Sequence, residues 1–187
     1  MSQIHLRDYP HGYRLPLRNI LLLTCIDLRL MDEIVHFMEH DNLTNRYDQF
    51  SLAGASLITQ LDTYKNDFDP GQIEPFTNSN HWKATFEDHI ELAIALHQIQ
   101  DVYIVEHRNC GAYEKFLKDG RHHADTEQSE REYHYKYSKS LCKQIRKKYG
   151  LNAHSFLMDL RGNPELLYST TGKEANKGGN KPSHKSS

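Results

Sequence analysis

The sequence predicts an α/β protein with a mainly parallel central sheet flanked by helices on both faces. Short apolar runs such as residues 20–23 and 102–105 read as strands buried on both sides. Segments with apolar residues at helical spacing stand between them. The two kinds of segment alternate along the chain, as in βαβ units.

Residues 1–18 are expected to form an arm, because Pro10 and Pro16 block a long regular element. Residues 19–24, Asn-Ile-Leu-Leu-Leu-Thr, are the first strand. A helix over residues 29–40 follows, with Met31, Ile34, Val35 and Met38 as its apolar face and Asp32 and Glu33 suiting its positive end. Residues 47–53 form a shorter strand that stops at Gly54. Residues 62–83 contain Pro70-Gly71, Pro75 and Asn78-Ser79-Asn80 and read as a long irregular stretch, either a lid, a subunit contact or a surface insertion. A helix over residues 84–98 should bury Phe86, Ile90, Ala93, Ile94 and His97, with Leu92 and Leu96 widening the buried face. Residues 102–106 are a strand, 112–118 a short helix ending at Gly120, and 133–149 lie on a long amphipathic helix ending at Gly150. Residues 153–160 are expected to be the last strand. The organisation expected is one domain over residues 1–168, arm included, and a disordered polar tail over 169–187 that cannot bury apolar surface.

The bulk properties narrow the function. At 187 residues there is chain enough for a real core. The net charge of −2 gives no electrostatic case for nucleic acid or an anionic membrane surface. The C-terminal lysines have no aromatic residues among them and read as solvated tail. The mean hydropathy is −0.77, no apolar run approaches a membrane span, and the first residues lack a signal-peptide core. A cytoplasmic location is therefore expected. There the three cysteines, Cys25, Cys110 and Cys142, are thiols or metal ligands rather than disulfides.

Two strand ends carry chemistry. Cys25 follows the first strand, and His107-Arg108-Asn109-Cys110 follows the strand at 102–106. In an open α/β sheet ligands collect outside the carboxyl ends of the strands, where strand order reverses. If the two strands are neighbours, Cys25, His107 and Cys110 converge as two sulphurs and an imidazole. Three such ligands suit Zn²⁺ with a fourth position open, the catalytic arrangement. Asp27 and Arg29 stand close by, either as catalytic polar groups or as an ordinary ion pair capping the next helix. Cys142 reads as packing, and His122-His123 as a solvated loop. A redox pair of Cys25 and Cys110 is disfavoured, since they form no Cys-x-x-Cys motif.

Cys25-Ile26-Asp27-Leu28-Arg29 and His107-Arg108-Asn109-Cys110-Gly111 together resemble the signature of the β-class carbonic anhydrases, Cys-x-Asp-x-Arg followed by His-x-x-Cys-Gly. The resemblance extends over about residues 19–160. It implies zinc held by Cys25, His107 and Cys110, a catalytic dyad of Asp27 and Arg29, and reversible hydration of carbon dioxide to bicarbonate by a metal-bound hydroxide. It also implies a homodimer or higher homo-oligomer with a small-molecule substrate and no further cofactor. Ser51-Leu52-Ala53-Gly54-Ala55 departs from the family's Arg-Asn-Ala-Gly-Asn, and Leu28 stands where Ser is frequent, so the chain reads as a divergent member. Hydrolysis of a related linear molecule, carbonyl sulfide or carbon disulfide, at the same zinc is the alternative, as is a catalytically silent zinc-binding regulator.

Overall fold

The computed structural model describes residues 17–76, 80–120, 122 and 124–171. Five strands lie side by side in the order β2-β1-β3-β4-β5. They are β1 (Ile20–Thr24), β2 (Tyr47–Ser51), β3 (Asp101–His107), β4 (Asn152–Met158) and β5 (Pro164–Ser169). The first four are parallel, and β5 runs antiparallel to β4. From β1 the chain moves to one side to form β2, then crosses back past β1 to form β3 on its other side. The reversal of strand order therefore falls beside β1, and Thr24 pairs with Val105 there.

The helices are α1 (Met31–His40), α2 (Ser56–Thr59), α3 (Pro70–Ile73), α4 (Asn80–His97), α5 (Gly111–Phe116) and α6 (Glu127–Tyr149). The period of two along each strand splits the core between the faces of the sheet. Ile20, Leu22, Tyr103, Val105, Phe156 and Met158 pack with Ile34, Phe37 and Met38 of α1. Leu21, Leu23, Val102, Ile104 and Ala153 pack with residues of α2, α4, α5 and α6 on the other face. This is the α/β architecture the sequence predicts, with one helix on one face and the rest opposite.

Details differ from expectation for physical reasons. A 3₁₀ turn over Leu28–Leu30 precedes α1, which buries Ile34, Phe37 and Met38 while Met31 and Val35 lie exposed. Phe37, not Val35, completes the stripe that Leu30 and Ile34 begin. On α4, Phe86, Ile90 and Ala93 are buried, but Leu96 is 68% exposed and Leu92 is also outside the core. Leu92 and Leu96, four residues apart, share one flank about 100° from the buried line, and among the described residues nothing buries that flank. His97 is exposed and pairs with Asp48 through Nδ1 at 2.7 Å.

The stretch expected to be irregular holds α3, two 3₁₀ turns and the start of α4. Asp69 caps α3 by accepting from the Gly71 N–H. The strand at 152–158 is not the last. Asp159 accepts from the N–H groups of Arg161 and Asn163 and turns the chain back into β5. Pro164 can begin this edge strand because its missing N–H is not needed there. Ser169, placed in the tail by sequence, ends β5, and Thr170 N still donates to Ala153 O. The N-terminal arm up to residue 16, and the tail from residue 172, lie outside the described residues. Among the described residues no helix is long and apolar enough to cross a membrane.

The α4 assignment can be checked by urea denaturation. Ile90→Ala is expected to cost about 2–5 kcal/mol, as for a buried aliphatic side chain cut to a cavity. Leu96→Ala should stay within about 0.5 kcal/mol. The reverse order would contradict the assigned faces.

Candidate metal centre

Parallel pairing of β1 with β3 carries both chains out of the sheet side by side. Cys25 is the first residue past β1, His107 is the last of β3, and Cys110 sits immediately before α5. Cys25 Sγ, a ring nitrogen of His107 and Cys110 Sγ all lie within 4.8 Å of one another, and the two sulphurs are 4.0 Å apart. Both sulphurs are free thiols rather than a disulfide.

His107 is held in one tautomer. Its Nδ1 lies 3.0 Å from Arg108 O, and a carbonyl can only accept, so Nδ1 carries a proton and donates it. In the neutral ring Nε2 then presents a bare lone pair. That atom is buried and has no hydrogen-bond partner. Leaving a buried acceptor unsatisfied ordinarily costs about 1–3 kcal/mol. A metal ion is the usual partner for an imidazole oriented through its other nitrogen. Two sulphurs and one imidazole nitrogen are also a donor set that Zn²⁺ accepts.

The thiols are unequal. A hydrogen bond from Cys110 pulls Cys25 down to about 4 against the opposing effect of burial, with His107 and the Gly54 N–H assisting. Cys110 is pushed up by that same contact and by burial. One proton held between the sulphurs thus favours thiolate at Cys25. Burial opposes charge on His107, yet the neighbouring Cys25 sulphur outweighs it and raises its pKa.

Asp27 and Arg29 sit at the mouth. Asp27 Oδ1 accepts from Arg29 N at 2.9 Å and from Nε at 2.8 Å, and Oδ2 accepts from Nη2 at 2.6 Å. Asp27 Oδ2 is 3.7 Å from His107 Nε2. Asp27 caps the turn at Leu28–Leu30 as the sequence allows, and its carboxylate also lies beside the three candidate ligands. Its bidentate hydrogen bonds from the Arg29 side chain outweigh burial and lower its pKa to about 2.

Two contributors escaped the sequence reading. Gly54 N donates to Cys25 Sγ at 3.3 Å, from a turn where Gly54 has φ +74°. A Cβ on Gly54 would come 3.0 Å from Ala112 Cβ, so the close approach also needs glycine. Asn109 turns the loop between His107 and Cys110 with φ 55°, a left-handed value that Asn tolerates better than most residues. Its carbonyl accepts from Arg29 Nη2 at 3.0 Å. Ala-Gly in the departing segment was the signal for Gly54, and Asn in a short loop the signal for Asn109. Elsewhere, Cys142 is buried and its thiol is pushed up by burial, as packing predicts. His122 is exposed and pairs with Asp125, while His123 lies outside the described residues.

Because the folded-state pKa of Asp27 lies below its ordinary value of 3.8, the group stabilises the fold above that value. The contribution fades as the pH falls toward 2. Carboxyl NMR titration of metal-free protein is expected to show Asp27 ionised from about pH 8 down to about pH 3.5. Arg29→Ala should raise its midpoint toward the ordinary range. A wild-type midpoint at 3.8 would contradict the bidentate pairing.

No model of a known protein family matches the chain. Among solved structures it is similar to a β-carbonic anhydrase described as tetrameric, from the filamentous ascomycete Sordaria macrospora. The TM-score is 0.45 at 16% identity, over 82% of both chains. It is also similar to the β-carbonic anhydrase CafA of the fungal pathogen Aspergillus fumigatus, with TM-score 0.44 and 16% identity over 80% of this chain and 74% of the other. In sequence, an uncharacterized protein of Rickettsia bellii is 34% identical over 149 residues, 79% of this chain and 80% of the relative. An uncharacterized protein of Rickettsia conorii is 32% identical over 149 residues, 79% of this chain and 71% of the relative. The chain belongs to the family of these two rickettsial proteins.

Proposed function

We propose that this protein is a cytoplasmic zinc enzyme that reversibly hydrates carbon dioxide to bicarbonate. The observation that carries the reading is the buried, unpartnered Nε2 of His107, facing the sulphurs of Cys25 and Cys110 next to the Asp27–Arg29 pair. Cys25, His107 and Cys110 would hold Zn²⁺, which when bound supplies a Lewis acid that makes water acidic enough to attack carbon dioxide near neutral pH. Thiolate ligands reduce the net charge at the metal, so activity should rise into the alkaline range.

The chain's own groups do the rest. Asp27 accepts a hydrogen bond at Oδ2 and so orients the attacking oxygen. Arg29 holds Asp27 through two side-chain hydrogen bonds and keeps it ionised across the working range. Asp27 therefore serves as a fixed acceptor, and the pH dependence arises elsewhere in the site.

A homodimer or higher homo-oligomer fits the surface near the mouth. Leu28 is 83% exposed, and Ile26, Met31 and Val35 are exposed with it, an apolar rim suited to a second subunit.

Hydrolysis of carbonyl sulfide or carbon disulfide is a second reading, favoured by the turn at residues 51–55. Ser51 Oγ is engaged by Thr24 Oγ1 at 2.9 Å, and Leu52, Ala53 and Ala55 offer no polar side chain. Such a lining suits a substrate less polar than bicarbonate.

Purified protein is expected to carry one zinc per chain and to hydrate carbon dioxide in a stopped-flow assay. Asp27→Asn should keep the metal and lose about 10–100-fold in turnover, the usual effect of removing a partner of a metal site. Sulfide release from carbonyl sulfide without measurable carbon dioxide hydration would transfer the assignment to the second reading. Stoichiometric zinc with neither activity would leave a silent metal-binding homologue.

A further inference from the structure

The loop that carries two of the three ligands is gripped by a carboxylate that the sequence did not single out. Glu130 lies in the first turn of α6 and is only 4% exposed. Its Oε1 accepts from Asn109 N at 2.5 Å, and its Oε2 accepts from Arg108 Nη1 at 3.1 Å. Arg108 and Asn109 are the two residues between His107 and Cys110. One side chain therefore holds both.

The consequences pass in two directions. Asn109 has φ 55°, and the hydrogen bond from its N–H to Glu130 holds it there. Its carbonyl, on the other side of the same residue, accepts from Arg29 Nη2 at 3.0 Å. Arg108 is tied to α6 a second time, through Glu127 O at 3.1 Å. Its own carbonyl receives the Nδ1 proton of His107 at 3.0 Å. Glu130 thus bonds neither sulphur nor imidazole, yet it holds the two residues that join His107 to Cys110. A buried carboxylate is costly unless its oxygens are satisfied, and here each oxygen accepts from a donor of this loop.

We propose that Glu130 is a positioning residue for the metal centre: it sets the His107–Cys110 loop in ligating geometry and, through Asn109 O, steadies Arg29 behind Asp27. The inference rests on the metal reading above. Without Glu130 the Asn109 N–H loses its acceptor, Arg108 keeps only the more distant Glu165 at 3.8 Å as a charge partner among the described residues, and the left-handed turn relaxes. His107 and Cys110 then shift relative to Cys25.

The test uses the full chain with Zn²⁺ and Co²⁺ as probes. Glu130→Ala is expected to weaken zinc binding about 10–100-fold in competition with a chromophoric chelator. It should also shift the visible d–d and thiolate-to-cobalt bands of the Co²⁺ form, which loss of stability alone would not do. Glu130→Gln keeps an amide oxygen for the Asn109 N–H and should restore the cobalt spectrum and most of the affinity. If Glu130→Ala does not fold, Glu130→Asp, too short to hold both donors, is read in the same way. Wild-type affinity and an unchanged cobalt spectrum in the folded variant would overturn this inference and leave the metal reading standing. Failure of the wild type to bind either ion would overturn both.

Discussion

The parallel pairing of Thr24 with Val105 is the constraint on which the rest of the site depends. Neighbouring strands run about 4.8 Å apart. A cysteine one residue past Thr24 and a histidine two residues past Val105 therefore leave the sheet within reach of each other. A slip of one residue in that register would turn Leu21, Leu23, Val102 and Ile104 out of one core and into the other. Burial on both faces makes the slip costly, and the ligand geometry inherits that cost as precision.

What the strands bring together, local hydrogen bonds then orient. Gly54 N steadies Cys25, Arg108 O selects the His107 tautomer, and Arg29 locks Asp27. At His107 the contact is made by Nδ1, which leaves the buried Nε2 without a hydrogen-bond partner among the described residues. That unpartnered nitrogen is what supports the metal reading.

Much of this could be read from the residues. Period and composition identify β1, β3, β4, α1, α4 and α6, because each buries a regular face. The three candidate ligands and the Asp27–Arg29 pair stand out because chemically capable residues fall at strand ends. What could not be read depends on tertiary context. Leu92 and Leu96 are apolar but face outward, and periodicity does not say which flank of a broad stripe meets the sheet. Strand β5 has a proline at its start and an edge position, so it lacks the long apolar run of a central strand. Gly54, Asn109 and Glu130 act through backbone atoms or across 21 residues of chain, and a local motif contains neither kind of information.

The central claim, that Cys25, His107 and Cys110 bind zinc at the carboxyl ends of β1 and β3, is tested most directly by zinc-edge X-ray absorption on the purified protein. The expected shell has two sulphurs at about 2.3 Å and nitrogen or oxygen ligands at about 2.0–2.1 Å. Replacing Cys25 with Ser should remove one sulphur from that shell. A shell without sulphur, or one unchanged by the substitution, would contradict it.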